Sequence, residues 1–467
     1  MGVVTEFLIA TMVSFLVIGI IGLIIIRPAI NFFVDAFIKR LMKDPYPENL
    51  GEMYNVFSKV GVQNVIEADI RSTSGQPLQR PFGTPKHYSE WDKLLLNPVY
   101  MSGKPVVESV GIDTKVIIGP KARRPLEIEM PIMIAGMAYG IGLSLKAKIA
   151  LAKGADQVKT ALNTGVGPCL PEERKHAKKL IIQYHRGSWG KDEDWLRQAN
   201  AVEIQLGYGA LAAAPVTLKP RDISPEFRDY MNLQPEDSLH LAASFPDVNN
   251  GSELNKLVNY LRNITSGVPI GVKIGATHYL EKELEVICTA GIDFINIDGK
   301  EAGINYAPGI LADDVGLPTL PALCRTVNFL NQKGLKSKVS LIVSGGLYTP
   351  GHFLKALALG ANAVYVGTII IIALGHTQNL KVIPWEPPTE LVFERGKLKN
   401  KLSIAEGERS VTNFLKSCNL EMMMAMRCLG KTAIKDLTLN DLCALTPDLA
   451  QMTGAELGLF TPGKAGA

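Results

Sequence analysis

Two short glycine-tipped segments are the first places in this chain where residue type suggests chemistry. Gly345 and Gly346 follow Ser344 at the end of a β-rich run, and neither carries a Cβ that would keep an anion off the main chain. Gly367 and Thr368 end the next such run and open an apolar stretch, whose first N–H groups would point at the same ligand. Gly367 follows Gly346 by 21 positions, with one helical stretch between them. Tight βα turns use the same glycines without any ligand, but the pair joined by a single helix favours a phosphate. Lys273 is the second candidate, inside Ile270–Ile274, a run apolar enough to be buried on both faces. An ammonium there is costly unless an anionic partner receives it. A flavin N1–C2=O edge, which gains negative charge on reduction, is one such partner; a lysine snorkelling to solvent from the strand end is the plainer alternative. Asp298-Gly299 ends another run and reaches the same face, as an acid or as a helix cap.

These groups can meet only if their strands share one rim. Short β-rich runs recur at Ile132–Ile134, Val158–Thr160, Leu180–Tyr184, Val202–Leu206, Ile270–Ile274, Phe294–Ile297, Val339–Val343 and Ala363–Val366. Amphipathic stretches fall between them at Leu143–Ala152, Glu253–Arg262, Glu281–Ala290, Leu320–Leu330 and His352–Leu359. Strands alternating with helices predict a parallel sheet, and eight units predict an α/β fold of the (β/α)8 TIM-barrel class. Such a barrel holds phosphate after its last two strands, where the glycine pairs lie. A doubly wound sheet is the competitor, but the dinucleotide fingerprint is missing after the first strand. The connection from Gly207 to Pro269 is too long for a simple βα loop and is expected to fold over the barrel mouth. The expected organisation is an anchor and juxtamembrane helix at 1–43, a proline-rich lead-in at 44–110, the barrel at 111–380 and a mostly helical extension at 381–467.

Composition agrees with a globular chain. Of 467 residues, 47% are hydrophobic and 20% charged, which excludes a disordered chain or a rod. The formal net charge of +4 is too slight to argue for nucleic acid. Six cysteines without a C-x-x-C pair make no disulfide scaffold and no zinc knuckle, so no metal site is expected. A mean hydropathy of +0.13 is high, and its source is local. Phe7–Ile26 is 20 residues without a charge, enough to span a hydrocarbon core of about 30 Å. Arg27, Lys39, Arg40 and Lys43 follow it, which predicts a single-pass anchor in the cell membrane with the body in the cytoplasm. A cleaved signal peptide fits less well, because no basic region precedes the run. Phe32, Phe33, Phe37 and Ile38 would continue it as an interfacial helix.

The order of motifs resembles the FMN-binding synthase domain of glutamate synthase, stand-alone type. Gly119–Leu126 followed by Met130–Gly140 resembles the opening of that flavin site, and Asn163-Thr164-Gly165 is similar to its S-N-T-G-E-G-G segment. Ile181-Ile182-Gln183, Glu203-Ile204, Val272-Lys273, Ile297-Asp298-Gly299, Ser344-Gly345-Gly346 and Gly367-Thr368 follow in the family's order, and Ala444-Leu445-Thr446 resembles its tail. The resemblance implies that Gly136, Met137 and Ala138 lie against FMN, that Asn163 and Gln183 face its ring, and that Lys273 meets its N1/O2 side. Ser344, Gly345, Gly346, Gly367 and Thr368 would hold the phosphate, with Lys273, Gln183 and Asp298 as the catalytic set. The implied reaction reduces 2-iminoglutarate, formed from 2-oxoglutarate and ammonia, to an amino acid.

Departures from the family fall on the substrate side. Members carry three cysteines for a 3Fe-4S cluster after the last barrel strand, whereas here Gly375 is followed by His376 and no cysteine lies between Cys324 and Cys418. No such cluster is expected; Cys418, Cys428 and Cys443 read as helix-packing thiols, and His376 as structural. The glutamate of N-T-G-E-G-G is Val166 and its last glycine is Pro168. A glycine-rich segment has become Leu211–Val216, and H-D-G-G-T-G-A-S-P has become Gly299–Pro308. Lys300, Glu301 and His278 are candidates to replace the lost acid–base groups, although a solvated loop is the simpler expectation for each. An anchored enzyme suggests a quinone or a membrane redox protein as electron partner. A 2-hydroxy acid or amino acid as substrate, or a flavin-binding subunit without turnover, stand as the alternatives.

Overall fold

The computed structural model describes residues 2–45, 49, 51–303, 307–382 and 385–459. The chain divides into two compact units, Met1–Leu78 and Gln79–Ala467.

In the first unit one helix runs over Gly2–Lys43 without interruption, passing through Pro28. It is long and apolar enough to cross a bilayer, a test that a signal sequence also passes. Phe7, Phe15, Leu16 and Leu23 are exposed, so its apolar surface is not used for packing. Two further helices, Glu52–Val60 and Val62–Ser74, follow in a stretch where the sequence showed little periodicity; Gly61, at φ +85°, separates them.

The second unit is built on a closed parallel barrel. Its strands are β1 (Ile132–Ile134), β2 (Leu162–Asn163), β3 (Leu180–Tyr184), β4 (Ala201–Gln205), β5 (Ile270–Gly275), β6 (Phe294–Asp298), β7 (Ser340–Ser344) and β8 (Ala363–Val366). They pair in chain order, and β8 closes on β1 through Val364 beside Ile132. The predicted helices form between them, as Leu145–Gln157, Gly251–Ile264, Leu280–Thr289, Thr319–Gln332 and Pro350–Ala358. Local signals set their starts: Ser144, Asn250 and Thr349 each accept a backbone N–H from the first turn. One strand is corrected. Val158–Thr160 is not extended, because Lys159 adopts φ +54°; Thr160 instead donates its hydroxyl to the Ile132 carbonyl, and the strand begins at Leu162.

A hairpin of Val116–Ile118 and Leu126–Ile128 closes the barrel floor, packing with Met133, Ile181, Phe294 and Ile342. At the opposite end the segment after β4 folds over the mouth, as expected. Its hairpin, Val216–Leu218 with Leu239–Leu241, and the short helix Pro225–Met231 share an apolar cluster with Tyr139, Ile141 and Val166 from the first two βα loops. The flanks of the barrel pair with each other. Leu94–Leu96 joins Leu442–Ala444 and Glu456–Leu457 in one small sheet, and the long helix Ile404–Cys428 packs on Leu145–Gln157.

Candidate active site

Successive residues on a strand point to opposite faces, so alternation selects what fills the barrel. On the upper rungs it selects Gln183, Glu203, Lys273, Asn296, Asp298, Ser344 and Tyr365, all buried. Glu203 is the hub. One carboxylate oxygen accepts from Asn163 Nδ2 at 2.9 Å and Gln183 Nε2 at 2.7 Å, the other from Asn296 Nδ2 at 3.1 Å. Complete burial pushes its carboxyl above the usual carboxylate range, while Lys273 and the amide donors oppose that shift.

Lys273 has an anionic partner inside the protein. Its Nζ lies 2.9 Å from Asp298 Oδ2 and 5.4 Å from the centre of the Tyr208 ring. Burial alone would depress the ammonium; Asp298 and then Glu203 outweigh it and hold Lys273 above its ordinary value. The lysine therefore does not snorkel to solvent, and Asp298 is no simple cap: it also accepts from the Ser344 hydroxyl, with Asn296 Oδ1 3.2 Å from the same hydroxyl.

Above this layer opens a cleft of about 1060 Å³, counting its open mouth. Lys273, Asp298 and Tyr365 line it from the barrel, Gly136-Met137-Ala138 from the loop after β1, and Ser344-Gly345-Gly346 with Gly367-Thr368 from the ends of β7 and β8. Asn163 and Gln183 do not line it; they sit beneath, holding Glu203. Asn163 also supports the loop, since its Oδ1 accepts from Gly165 N at 2.9 Å. Lys148 fixes the same region from outside the barrel. Its Nζ donates to the Met137 carbonyl at 2.7 Å and pairs with Glu173 Oε1 at 2.6 Å, both side chains almost wholly buried. Burial raises the Glu173 carboxyl above the usual range against the pull of Lys148.

The glycine pairs have different reasons to be glycine. Gly345 adopts φ +114°, and a Cβ there would fall 2.6 Å from Thr319 Oγ1 and 2.8 Å from Ala302 N. Gly367 has open space instead: its Cβ would meet only Ala135 Cβ, at 3.9 Å. The helix Thr368–Gly375 starts behind it with no side-chain cap, so its leading N–H groups are left for something else. A bare helix start beside two glycines, above a buried ammonium, has the chemistry to accept a phosphate-bearing group.

Lys300 and Glu301 are corrected: neither is a solvated loop residue. Both are buried. Glu301 accepts from Thr319 N and Thr319 Oγ1, each at 2.8 Å, and from Ser89 Oγ at 2.5 Å. Lys300 donates to the Asp313 carbonyl and lies 3.9 Å from the centre of the Tyr88 ring. His278 and His376 are exposed. Ile304, Asn305 and Tyr306 of the altered loop lie outside the described residues. Tyr208, Tyr365 and Arg186 stand in no motif of the sequence, although strand alternation through Ala363 and Tyr365 carries a signal for the second.

Residues 88–432 match the family model for the conserved region in glutamate synthase. The chain belongs to the glutamate synthase family. Within that family, a glutamate synthase large subunit-like protein of Rhizobium meliloti is 33% identical over 407 residues, 82% of this chain and 91% of the relative. An archaeal-type glutamate synthase (NADPH) of Thermotoga neapolitana is 31% identical over 320 residues, 68% of this chain but 62% of the relative. The chain thus matches under two thirds of the archaeal-type synthase. Among solved structures, a flavocytochrome b2 variant with sulfite bound aligns with TM-score 0.49 and 17% identity over 80% of each chain. The protein is a glutamate synthase-like oxidoreductase on a TIM barrel.

Proposed function

We propose that the cleft holds FMN and that the protein reduces the imine of a 2-oxo acid, of the 2-iminoglutarate type, to an amino acid. The reading rests on one observation: the glycine-lined ends of β7 and β8 and the buried Lys273 open onto the same cleft. The residues fit the group. Gly345, Gly346, Gly367 and Thr368 offer main-chain N–H groups to the phosphate, and the space before Gly367 is open. Lys273 stays charged, and its ammonium offsets negative charge at the N1/O2 edge. FMN, when bound, supplies the electron pair. The loop Gly136–Ala138, pinned by Lys148 at the Met137 carbonyl, would lie against the ring. Asp298 orients Lys273, and the roof from Val216 to Leu241 excludes water from the reacting carbon.

Ammonia and a 2-oxo acid are the proposed substrates. The helix Gly2–Lys43 anchors the protein in the lipid bilayer, with the basic residues after Ile26 and the barrel on the cytoplasmic side. With no cysteine between Cys324 and Cys418, the stretch directly after β8 offers no thiolates for a 3Fe-4S cluster, and in this reading electrons enter the cleft directly, from a quinone or a membrane redox protein. The test uses full-length protein in mild detergent. Flavin absorbance bands are expected, as is re-oxidation of anaerobically photoreduced flavin by a 2-oxo acid plus ammonia, without stoichiometric iron. A colourless preparation that takes up no added FMN defeats the reading. Re-oxidation by the 2-oxo acid that is equally fast without ammonia defeats the imine step.

A further inference from the structure

We propose that Glu203 takes up a proton when an electron pair enters the cleft above it, with Tyr365 as the path and the Gln183 amide as the part that turns. The proposal rests on the cleft holding FMN and assigns the charge balance beneath it.

The upper rungs of the barrel hold two carboxylates and one ammonium, and the two carboxylates differ in their partners. Asp298 has the ammonium itself, with Lys273 Nζ at 2.9 Å. Glu203, fully buried on β4, takes its hydrogen bonds from neutral amides: Asn163 at 2.9 Å, Gln183 at 2.7 Å and Asn296 at 3.1 Å. The titratable groups that face it are Lys273 on β5, Asp298 on β6, Tyr365 on β8 and Tyr208 on the loop after β4. Against burial, Asp298 and Glu203 hold Lys273 above its ordinary value, so it stays an ammonium. Burial pushes both phenols up, so they keep their protons. Burial also raises Glu203. A further negative charge nearby would therefore neutralise Glu203 before Asp298, which is bonded to a cation.

Two features let a proton arrive and stay. Tyr365 lines the cleft, and its hydroxyl is hydrogen-bonded to Glu203 while accepting from Asn163 Nδ2 at 3.2 Å. The phenol can pass its own proton down to the carboxylate and take another from the cleft. Gln183 supplies the accommodation. Its Nε2 donates to Glu203, and its buried Oε1 has no partner. A protonated carboxyl needs an acceptor where Nε2 now stands. Turning the amide half a revolution brings Oε1 there, and no other bond of Oε1 is broken. A static hub accounts for the three donors and leaves the empty end of the Gln183 amide unexplained.

Two electrons from the donor and one proton reduce the flavin and leave one negative charge at the N1/O2 edge, beside Lys273. That charge raises the Glu203 carboxyl by repulsion. One solvent proton then crosses Tyr365 to Glu203. Two electrons thus enter with two protons, one on the ring and one on the protein, and re-oxidation releases both.

Full-length protein in mild detergent, reduced stepwise with dithionite against redox dyes at several pH values, tests this. One proton per electron pair shifts the equilibrium tenfold per pH unit, about 30 mV; two protons shift it a hundredfold, about 60 mV. The wild type is expected to show the steeper slope at about pH 7, and Glu203→Gln the shallower one. Infrared difference spectra of the wild type should gain a protonated-carboxyl band on reduction, shifted in heavy water and missing from Glu203→Gln. A one-proton slope in the wild type, a two-proton slope kept by Glu203→Gln, or a wild-type spectrum without the band overturns the proposal. Should the variant lose its flavin, the wild-type slope and band decide. A preparation that binds no flavin defeats the FMN reading and this proposal together, whereas bound flavin with the shallow slope defeats this proposal alone.

Discussion

Replacing Lys273 by Met tests the electrostatics of the barrel interior. The substitution keeps most of the side-chain volume and removes the one cation facing Asp298 and Glu203, both almost completely buried. Breaking a buried ion pair from one side costs about 3–5 kcal/mol, because the remaining charge is stranded. Unfolding entropy of about 2.1 cal/mol/K per residue, over residues 79–467, amounts to about 0.8 kcal/mol/K. The Tm of the barrel unit should then fall by about 4–6 °C at pH 7. The sign of the pH dependence follows from Glu203. Burial already holds its carboxyl high and Lys273 opposes this, so losing Lys273 raises it further. A carboxyl raised in the folded state favours folding at low pH, and that advantage is lost as pH rises through its folded value. The variant's deficit is therefore largest at neutral pH and narrows on acidification towards the ordinary glutamate value of about 4.3. Thermal unfolding followed by near-ultraviolet circular dichroism, at pH 5 and pH 7 in one detergent, measures both. A fall below about 1 °C at pH 7, or a gap that widens towards pH 5, would refute the reasoning.

Gly345→Ala forces a Cβ into 2.6 Å contact at positive φ and should cost above about 1 kcal/mol, whereas Gly367→Ala meets only a 3.9 Å neighbour and should leave Tm nearly unchanged. Both should lower the flavin-to-protein absorbance ratio, and retention of full flavin by Gly367→Ala would argue against phosphate there. Glu301→Ala frees the first N–H and hydroxyl of the helix Thr319–Gln332 and should destabilise by about 1–3 kcal/mol in urea titrations. Lys148→Met strands the fully buried Glu173 and releases the Met137 carbonyl. It should lower Tm by several degrees and weaken FMN retention together; loss of one without the other would uncouple the loop from the ion pair.

The barrel was legible because seven of its strands are short apolar runs bounded by turn residues, with amphipathic stretches between. Val158–Thr160 misled because β-branched residues flank Lys159, and nothing local shows that this lysine turns left-handed. The glycine tips and Lys273 were legible because glycine and a buried cation are costly in a strand without a purpose. Lys300 and Glu301 were not. Their partners Asp313, Thr319 and Ser89 are far along the chain, and residue type alone made solvent the better expectation. Asn163 and Gln183 keep a role near the cleft but one layer down, since alternation fixes the face of a residue and not its height along the barrel axis.

The outer rim of the cleft is not made by the barrel. Pro81 and Phe82 come from the chain before it, tied down where Gln79-Arg80 pairs with Ala307-Pro308, and Phe393 comes from the chain after it, its ring 5.9 Å from that of Phe82. Two remote stretches of polypeptide thus meet as a clasp across the opening. A ligand in the cleft would lie against both flanks, so local fraying of either is expected to loosen a bound cofactor. Trimming either flank, while sparing every residue that touches the phosphate, would shorten the cofactor's residence without altering the barrel.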